Sequence, residues 1–341
     1  REAILAQGRG IGLQDPLGRI PSASSTMPKT KIKTKASKEA MRWADDGEVG
    51  EFAQEPGPQG NKFDIRMENE EDGTLAAKKI VGKLKERGVC LVQANAAQQL
   101  VMAAQDEAEG LWEDGEFTPP LRVHDDRSML EAPLWQQALS DEEKVFWIRP
   151  NKDGQAKKAA ATNALRALSE KLGEFGGGLS ELIQKELGMG YDRFGHGMLS
   201  CYTGDQTYSL HLDNCHGDED DEEAFPDNGM RLTLVYFINM YWNPIKRDNG
   251  GGLDVYLTDP KEAPSSASSV KSAKVLRIAP HADTLALFLS ERVAHRVIET
   301  KGDQKWFCLT MWCLQGEVMS RAMRKLHARQ ARRDEDSDDV D

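Results

Sequence analysis

The sequence predicts a mainly β protein, an antiparallel sandwich or barrel resting on helices, with disordered ends. Three observations carry this. Beyond residue 190, short apolar strands follow one another across turn signals with no helical period between them. From residue 71 to 189 the apolar spacing is mostly helical. Residues 1–70 are rich in Gly, Pro, Ser, Lys and Glu and sustain no apolar period. At 341 residues the chain can bury a sizeable core, as one large domain or two small ones. Its net charge of -12, from 44 Lys and Arg against 56 Asp and Glu, argues against coating nucleic acid or an anionic membrane.

The elements follow in order. "PKTKIKTKASKEAMRW" and "DDGEVGEFAQEPGPQGN" mark 1–70 as a disordered N-terminal region, and the basic run Lys29–Lys38 reads as a solvated tail before a nuclear signal or polyanion contact. A helical supporting region covers 71–189. In "TLAAKKIVGKLKERG", Leu75, Ala76, Ile80, Val81 and Leu84 recur at helical spacing, and Gly88 sits where a helix stops. "VCLV" (89–92) reads as a short buried strand, and a second helix is expected over roughly 94–109 with Leu100, Val101 and Ala104 inward. Residues 113–160 carry "TPPL", Trp135, Phe146 and Trp147 in no clear pattern. A helix over 162–173, a break at "GEFGGG" and a further helix ending near Leu187 complete this region.

The strands of a 190–316 core are "MLSCYT" (198–203), "YSLHLD" (208–213), "RLTLVYFIN" (231–239), "GLDVYL" (252–257), "TLALFLS" (284–290) and "WFCLTMWC" (306–313). The acidic "DEDDEE" (218–223) reads as a solvated loop and "PSSASSVKSA" (264–273) as a flexible connector. Residues 317–341 form a charged tail, a basic helix running into an acidic end.

Five scattered cysteines (Cys90, Cys201, Cys215, Cys308, Cys313) with no CxxC pair point to a reducing compartment, cytoplasm or nucleus. No apolar run approaches a membrane span. The chain begins at Arg1 rather than Met, which is consistent with a lost targeting segment.

Within "SLHLDN", period-two alternation sets His211 and Asp213 on one side of a strand with Leu212 opposite. That is the geometry of two metal ligands. His295, in "SERVAHRVIE" just past the strand 284–290, is the candidate third. Two imidazoles and one carboxylate occupy one face of an octahedral ion and leave the opposite positions open, which suits non-haem Fe(II). A closed structural zinc site wants four ligands; Cys215 and His216 raise that alternative but lack a spaced partner pair.

"CYTGDQTYSLHLDN", "RLTLVYFINMYWN", "GGGLDVY", "DTLALFLSERVAHRV" and "DQKWFCLTMWC" occur in the order and rough spacing of the 2-oxoglutarate- and Fe(II)-dependent dioxygenases. Over 190–315 the chain most resembles the prolyl 4-hydroxylase branch, including the hypoxia-inducible-factor prolyl hydroxylases. The resemblance implies a double-stranded β-helix (jelly roll) supported by helices, with His211, Asp213 and His295 as metal ligands. The 82 positions from Asp213 to His295 exceed the family's common spacing, and the acidic and serine-rich insertions account for the excess.

The resemblance also implies Fe(II), O2, 2-oxoglutarate as co-substrate and L-ascorbate, with hydroxylation of a peptidyl proline and release of succinate and CO2. No catalytic group beyond the metal ligands is required. A dianionic acid in a narrow pocket needs a paired cation. Lys305, ten positions after His295, matches the lysine of collagen-type members, although seven positions, an odd number, separate it from Trp312. The family places these two on one face, so a bulge or a differently aimed Trp312 is expected. Tyr202 matches a tyrosine that hydrogen-bonds the same carboxylate, Tyr208 a second pocket tyrosine, and Thr310 a further co-substrate contact. The expected partner is a protein or peptide, a basic one if the acidic insertion recognises it; neither a membrane nor nucleic acid is expected. Another substrate (a free amino acid, another protein side chain or an alkylated base) and a non-catalytic jelly-roll binding module are the alternatives.

Overall fold

Among the described residues two β-sheets face each other and supply one core, with three long helices against the larger sheet. In this computed structural model the described residues run from 51 to 328, without 58–59, 71, 119–143, 149–161, 205–206, 217–225, 243–249, 265–266 and 326–327. The basic run at Lys29–Lys38, the acidic insertion at 218–223 and the acidic end of the tail lie outside them.

In chain order the elements are β1 (Phe52–Gln54), β2 (Ile65–Arg66), α1 (Gly73–Arg87), β3 (Val89–Gln93), α2 (Gln98–Glu113), β4 (Lys144–Ile148) and α3 (Asn163–Leu187). Then come β5 (Arg193–Phe194), β6 (Gly197–Tyr202), β7 (Tyr208–His211), β8 (Met230–Phe237) and β9 (Leu253–Leu257). A short α4 (Ala267–Lys271), β10 (Lys274–Ile278), β11 (Thr284–Leu289), β12 (His295–Val297) and β13 (Trp306–Leu314) follow. The smaller sheet runs β1-β10-β9-β12-β7 and the larger β2-β3-β11-β8-β13-β6-β4, with β5 also on β13. Apart from β1 on β10 and β2 on β3, every pairing is antiparallel. The expected jelly roll with supporting helices is what the chain forms.

Local chemistry sets the helices. In α1 the Asp72 carboxylate accepts from the Thr74 backbone N–H at 2.8 Å, capping the start. Gly88, at φ 77°, ends it by donating to the Leu84 carbonyl, and a Cβ there would lie 2.6 Å from Val293 Cγ2. Ala76, Ile80, Val81 and Leu84 form its buried stripe.

Several expectations are corrected. "GEFGGG" breaks nothing: α3 is one continuous helix from Asn163 to Leu187. Gly176 serves packing, because a Cβ there would lie 2.9 Å from Cys313 Sγ and 3.3 Å from Phe194 Cε1. The second helix begins at Gln98, four residues later than expected, and ends at Glu113. Order begins well before residue 71: β1 pairs with β10, and Asn61 is buried with its amide exchanging bonds of 2.9 and 2.8 Å with the Ala279 backbone. A composition-based boundary misses such contacts because each pairs residues distant in sequence. The serine-rich connector contains α4, which buries Val270 fully. Strands β4, β10 and β12 were not expected, and residues 316–325 continue from β13 as a helix.

The inner faces of both sheets meet in the main core, among them Val235, Phe237, Val255, Ile278 and Phe288. The outer face of the smaller sheet carries a second cluster of Leu210, Leu212, Tyr256, Val270, Val275 and Ala294.

Candidate metal centre

β7 ends on His211 and β12 begins on His295, and the two residues pair directly across the strands. Their rings lie 4.2 Å apart, with Tyr208 4.5 Å from His211 and Phe288 4.5 Å from His295. Asp213 was expected within the strand but lies just past its end, where the chain bends. The bend is held by Asn228, whose side-chain amide donates to the Asp213 carbonyl at 2.8 Å, and by Asn214, whose backbone N–H donates to the Ser290 carbonyl at 3.0 Å. Leu212 meanwhile turns into the outer cluster beside Leu210.

The ligand atoms of His211, Asp213 and His295 all lie within 4.8 Å of one another. Asp213 Oδ1 is 3.4 Å from His211 Nε2 and 3.6 Å from His295 Nε2. Metal bonds of roughly 2.1 Å at right angles put neighbouring donors roughly 3 Å apart, so a small inward adjustment closes this set on an octahedral ion. The other carboxylate oxygen is already engaged: Oδ2 accepts from Thr233 Oγ1 at 2.5 Å and from Trp312 Nε1 at 3.1 Å. Thr233 Oγ1 is in turn 2.8 Å from Ser290 Oγ. Asp213 is thus prepared to bind a metal through one oxygen.

Burial disfavours charge on Asp213, but the His295 and His211 imidazoles and the Thr233 hydroxyl outweigh it and hold the carboxyl well below its usual range. Burial, and then the neighbouring His211, push His295 down to about 4 despite Asp213. A carboxylate beside a neutral imidazole near pH 7 is the protonation state that metal ligation requires.

The remaining candidates separate. Alternation along β13 puts Trp306, Cys308, Thr310 and Trp312 on the inner face. Tyr202, on β6, stacks on Trp306 at 4.5 Å, and both are buried. Thr310 is buried in that row, and Tyr208 stands against His211. Lys305 does not join them. β13 keeps regular register from Trp306 to Cys313, so no bulge intervenes, and Trp312 does face the centre. Lys305 instead points out to α2, where its ammonium pairs with Glu109.

His216, Asp227 and Glu291 form a second acidic group nearby. Its cation is already present, because Arg231 donates to both Asp227 oxygens at 2.9 and 2.8 Å and to Glu291 at 3.5 Å. It is an ion-pair network. Sequence reading missed Thr233 as a holder of Asp213, and Ser290 as the partner of Thr233. The available signal was polarity: Thr233 interrupts the otherwise apolar "LTLVYF".

The sequence profile of the 2OG-Fe(II) oxygenase superfamily matches residues 197–314. No curated protein sequence matches the chain. Among solved structures it is similar to a prolyl hydroxylase from Trichoplax adhaerens in complex with a hypoxia inducible factor oxygen degradation domain peptide fragment. That match has 18% identity over 74% of this chain and 97% of the other, with a TM-score of 0.50. A Pseudomonas putida prolyl-4-hydroxylase matches at 20% identity over 70% of this chain and 98% of the other, with a TM-score of 0.48. At 18% identity the likeness to the Trichoplax adhaerens structure is one of fold. The profile spans β6 to β13, the segment that brings His211, Asp213 and His295 together, and so residues 197–314 are the part of this chain that matches the 2OG-Fe(II) oxygenase superfamily.

Proposed function

We propose that the chain hydroxylates a prolyl residue of a protein or peptide, with 2-oxoglutarate as co-substrate and L-ascorbate maintaining activity. The observation that carries this is the His211-Asp213-His295 set, whose three donors converge within 4.8 Å of one another inside a jelly roll, as ligands on one face of an octahedral ion would. Fe(II) bound there supplies oxidative decarboxylation: one atom of O2 enters succinate as CO2 leaves, and the other enters a substrate C–H bond as hydroxyl.

The protein's own residues position and exclude. His211 and His295 present Nε2 inward, and Thr233 and Trp312 keep Asp213 turned so that Oδ1 faces them. Tyr208 and Phe288 flank the imidazoles and keep bulk water from their faces. Proline as the target is supported by the fold shared with the Trichoplax adhaerens prolyl hydroxylase, which was solved with a peptide fragment. A basic peptide is favoured by the six consecutive acids at 218–223, which follow the ligand Asp213 closely in sequence. The five free cysteines support a reducing cytoplasmic or nuclear setting.

The test is a peptide panel. The full chain is incubated with Fe(II), 2-oxoglutarate and ascorbate, and products are read by tandem mass spectrometry. A one-oxygen mass gain localised to proline, favouring basic peptides, is expected. Succinate formation with every prolyl peptide unmodified, or with oxygen on another residue, contradicts proline as the target.

A further inference from the structure

The inner face of β13 beyond the metal centre ends on an uncharged wall of rings. On the inner face of β13, Trp312 marks the metal end through its bond to Asp213. Trp306, six residues earlier, marks the other end. Its indole N–H donates to Thr300 Oγ1 at 2.8 Å, Tyr202 stacks on it at 4.5 Å with a 29° tilt, and Phe237 lies 5.8 Å away. Trp306, Tyr202 and Phe237 are 1%, 5% and 0% exposed, so these three rings close that end.

Lys305, Arg296 and Arg231 do not reach this wall. Lys305 is on the outer face with Glu109. Arg296 lies on the outer face of the smaller sheet, where its guanidinium donates to Asp254 at 3.1 Å. Arg231 faces inward but sits beyond Thr233, toward the metal end, engaged by Asp227, Glu291 and Gln315. Among the described residues the inner face between Asp213 and Trp306 therefore offers hydroxyls and rings rather than ammonium or guanidinium groups.

We propose that Trp306 closes the co-substrate pocket and that the far end of a 2-oxo acid is held there by the uncharged donors Tyr202 and Thr310, with Lys305 taking no part. This rests on the 2-oxo-acid-dependent reading above and deepens it. The consequence is a change in selectivity. A buried carboxylate without a paired cation loses most of its advantage over an apolar tail, because its desolvation is not offset. The chain therefore discriminates weakly between 2-oxoglutarate and a monoanionic 2-oxo acid of similar length such as 2-oxovalerate, and Trp306 sets the length that fits.

The experiment is titration calorimetry of 2-oxoglutarate, 2-oxovalerate and 2-oxoadipate into the Mn(II)-loaded full chain, for wild type, Lys305→Met, Glu109→Gln and Trp306→Leu. The expected results are Kd values for the two five-carbon acids within about tenfold of each other and a change of under about twofold from Lys305→Met. Trp306→Leu is expected to favour 2-oxoadipate over 2-oxoglutarate by about fivefold or more relative to wild type. A loss of about tenfold or more for 2-oxoglutarate, but not 2-oxovalerate, in Lys305→Met and not in Glu109→Gln overturns the proposal and restores Lys305 as the co-substrate cation. A wild type that binds Mn(II) but none of the three acids sinks the co-substrate reading itself, a result distinct from a lysine-dependent preference.

Discussion

Asp213 is the residue on which the centre turns. Its two oxygens have different duties, one facing the imidazoles and one held by Thr233 and Trp312. Thr233→Val and Trp312→Phe each remove one of those bonds while roughly keeping shape. Each is expected to weaken Mn(II) binding by about tenfold or more, the usual scale for a lost partner of a metal ligand. Calorimetry measures this, and unchanged near-ultraviolet circular dichroism of the metal-free variants separates it from misfolding. Affinity equal to wild type in both would show that Asp213 holds its orientation without them. His211 and Asp213 were legible in the sequence because an HxD spacing is a local signal, and His295 through its place just past the apolar strand 284–290 and the family resemblance. Lys305 was misread for a local reason as well, since its odd separation from Trp312 already set it on the opposite face.

At the scale of elements, α3 shows where local signals mislead. Four glycines within "GEFGGG" read as a helix break, yet α3 runs through them because it lies close to β5 and β13. Gly176→Ala brings a Cβ within 2.9 Å of the fully buried Cys313 Sγ, whereas a Cβ on Gly178 meets nothing within 4 Å. Gly178→Ala is expected to stabilise the protein by up to ~1 kcal/mol through helix propensity. Gly176→Ala is expected to destabilise it by ~1 kcal/mol, the packing clash outweighing the same gain. Urea unfolding midpoints give both signs, and equal stabilisation by the two would show that the helix does not need the close approach. The early strands escaped the sequence reading for the converse reason: β1 and β2 are two or three residues long and exist through pairing with β10 and β3. Periodicity has no purchase on segments that short.

At the scale of the whole molecule, the Arg231 network ties the start of β8 to Gln315 after β13 and to Glu291 before β12. Burial opposes ionisation of Asp227 and Glu291, yet bonds from Arg231 and Asn214 to Asp227, and His216 and Arg231 beside Glu291, hold both carboxyls below their ordinary 3.8 and 4.5. Depressed folded values mean stability that is present above the unfolded pKa and lost as pH falls through the folded one. Wild-type stability is therefore expected to decline as the pH drops from about 5 toward 2, and Arg231→Met to be less stable at neutral pH with a flatter acid decline. Chemical denaturation across that range measures the slopes; parallel curves would remove the network from acid stability. An antiparallel sandwich or barrel was legible because apolar strands separated by turns leave few alternatives, while the jelly roll followed from the family resemblance. Which face each loop and helix covers was not, because those contacts join residues far apart in the chain.

The central claim is that His211, Asp213 and His295 hold a metal that drives 2-oxoglutarate turnover. Succinate formation by the purified full chain under air, with Fe(II) and ascorbate, comparing wild type with Asp213→Ala, addresses it most directly. The account predicts iron-dependent succinate from wild type and a loss of at least about a hundredfold in the variant. Equal succinate from a folded Asp213→Ala protein, or none from an iron-loaded wild type offered prolyl peptides, would contradict it.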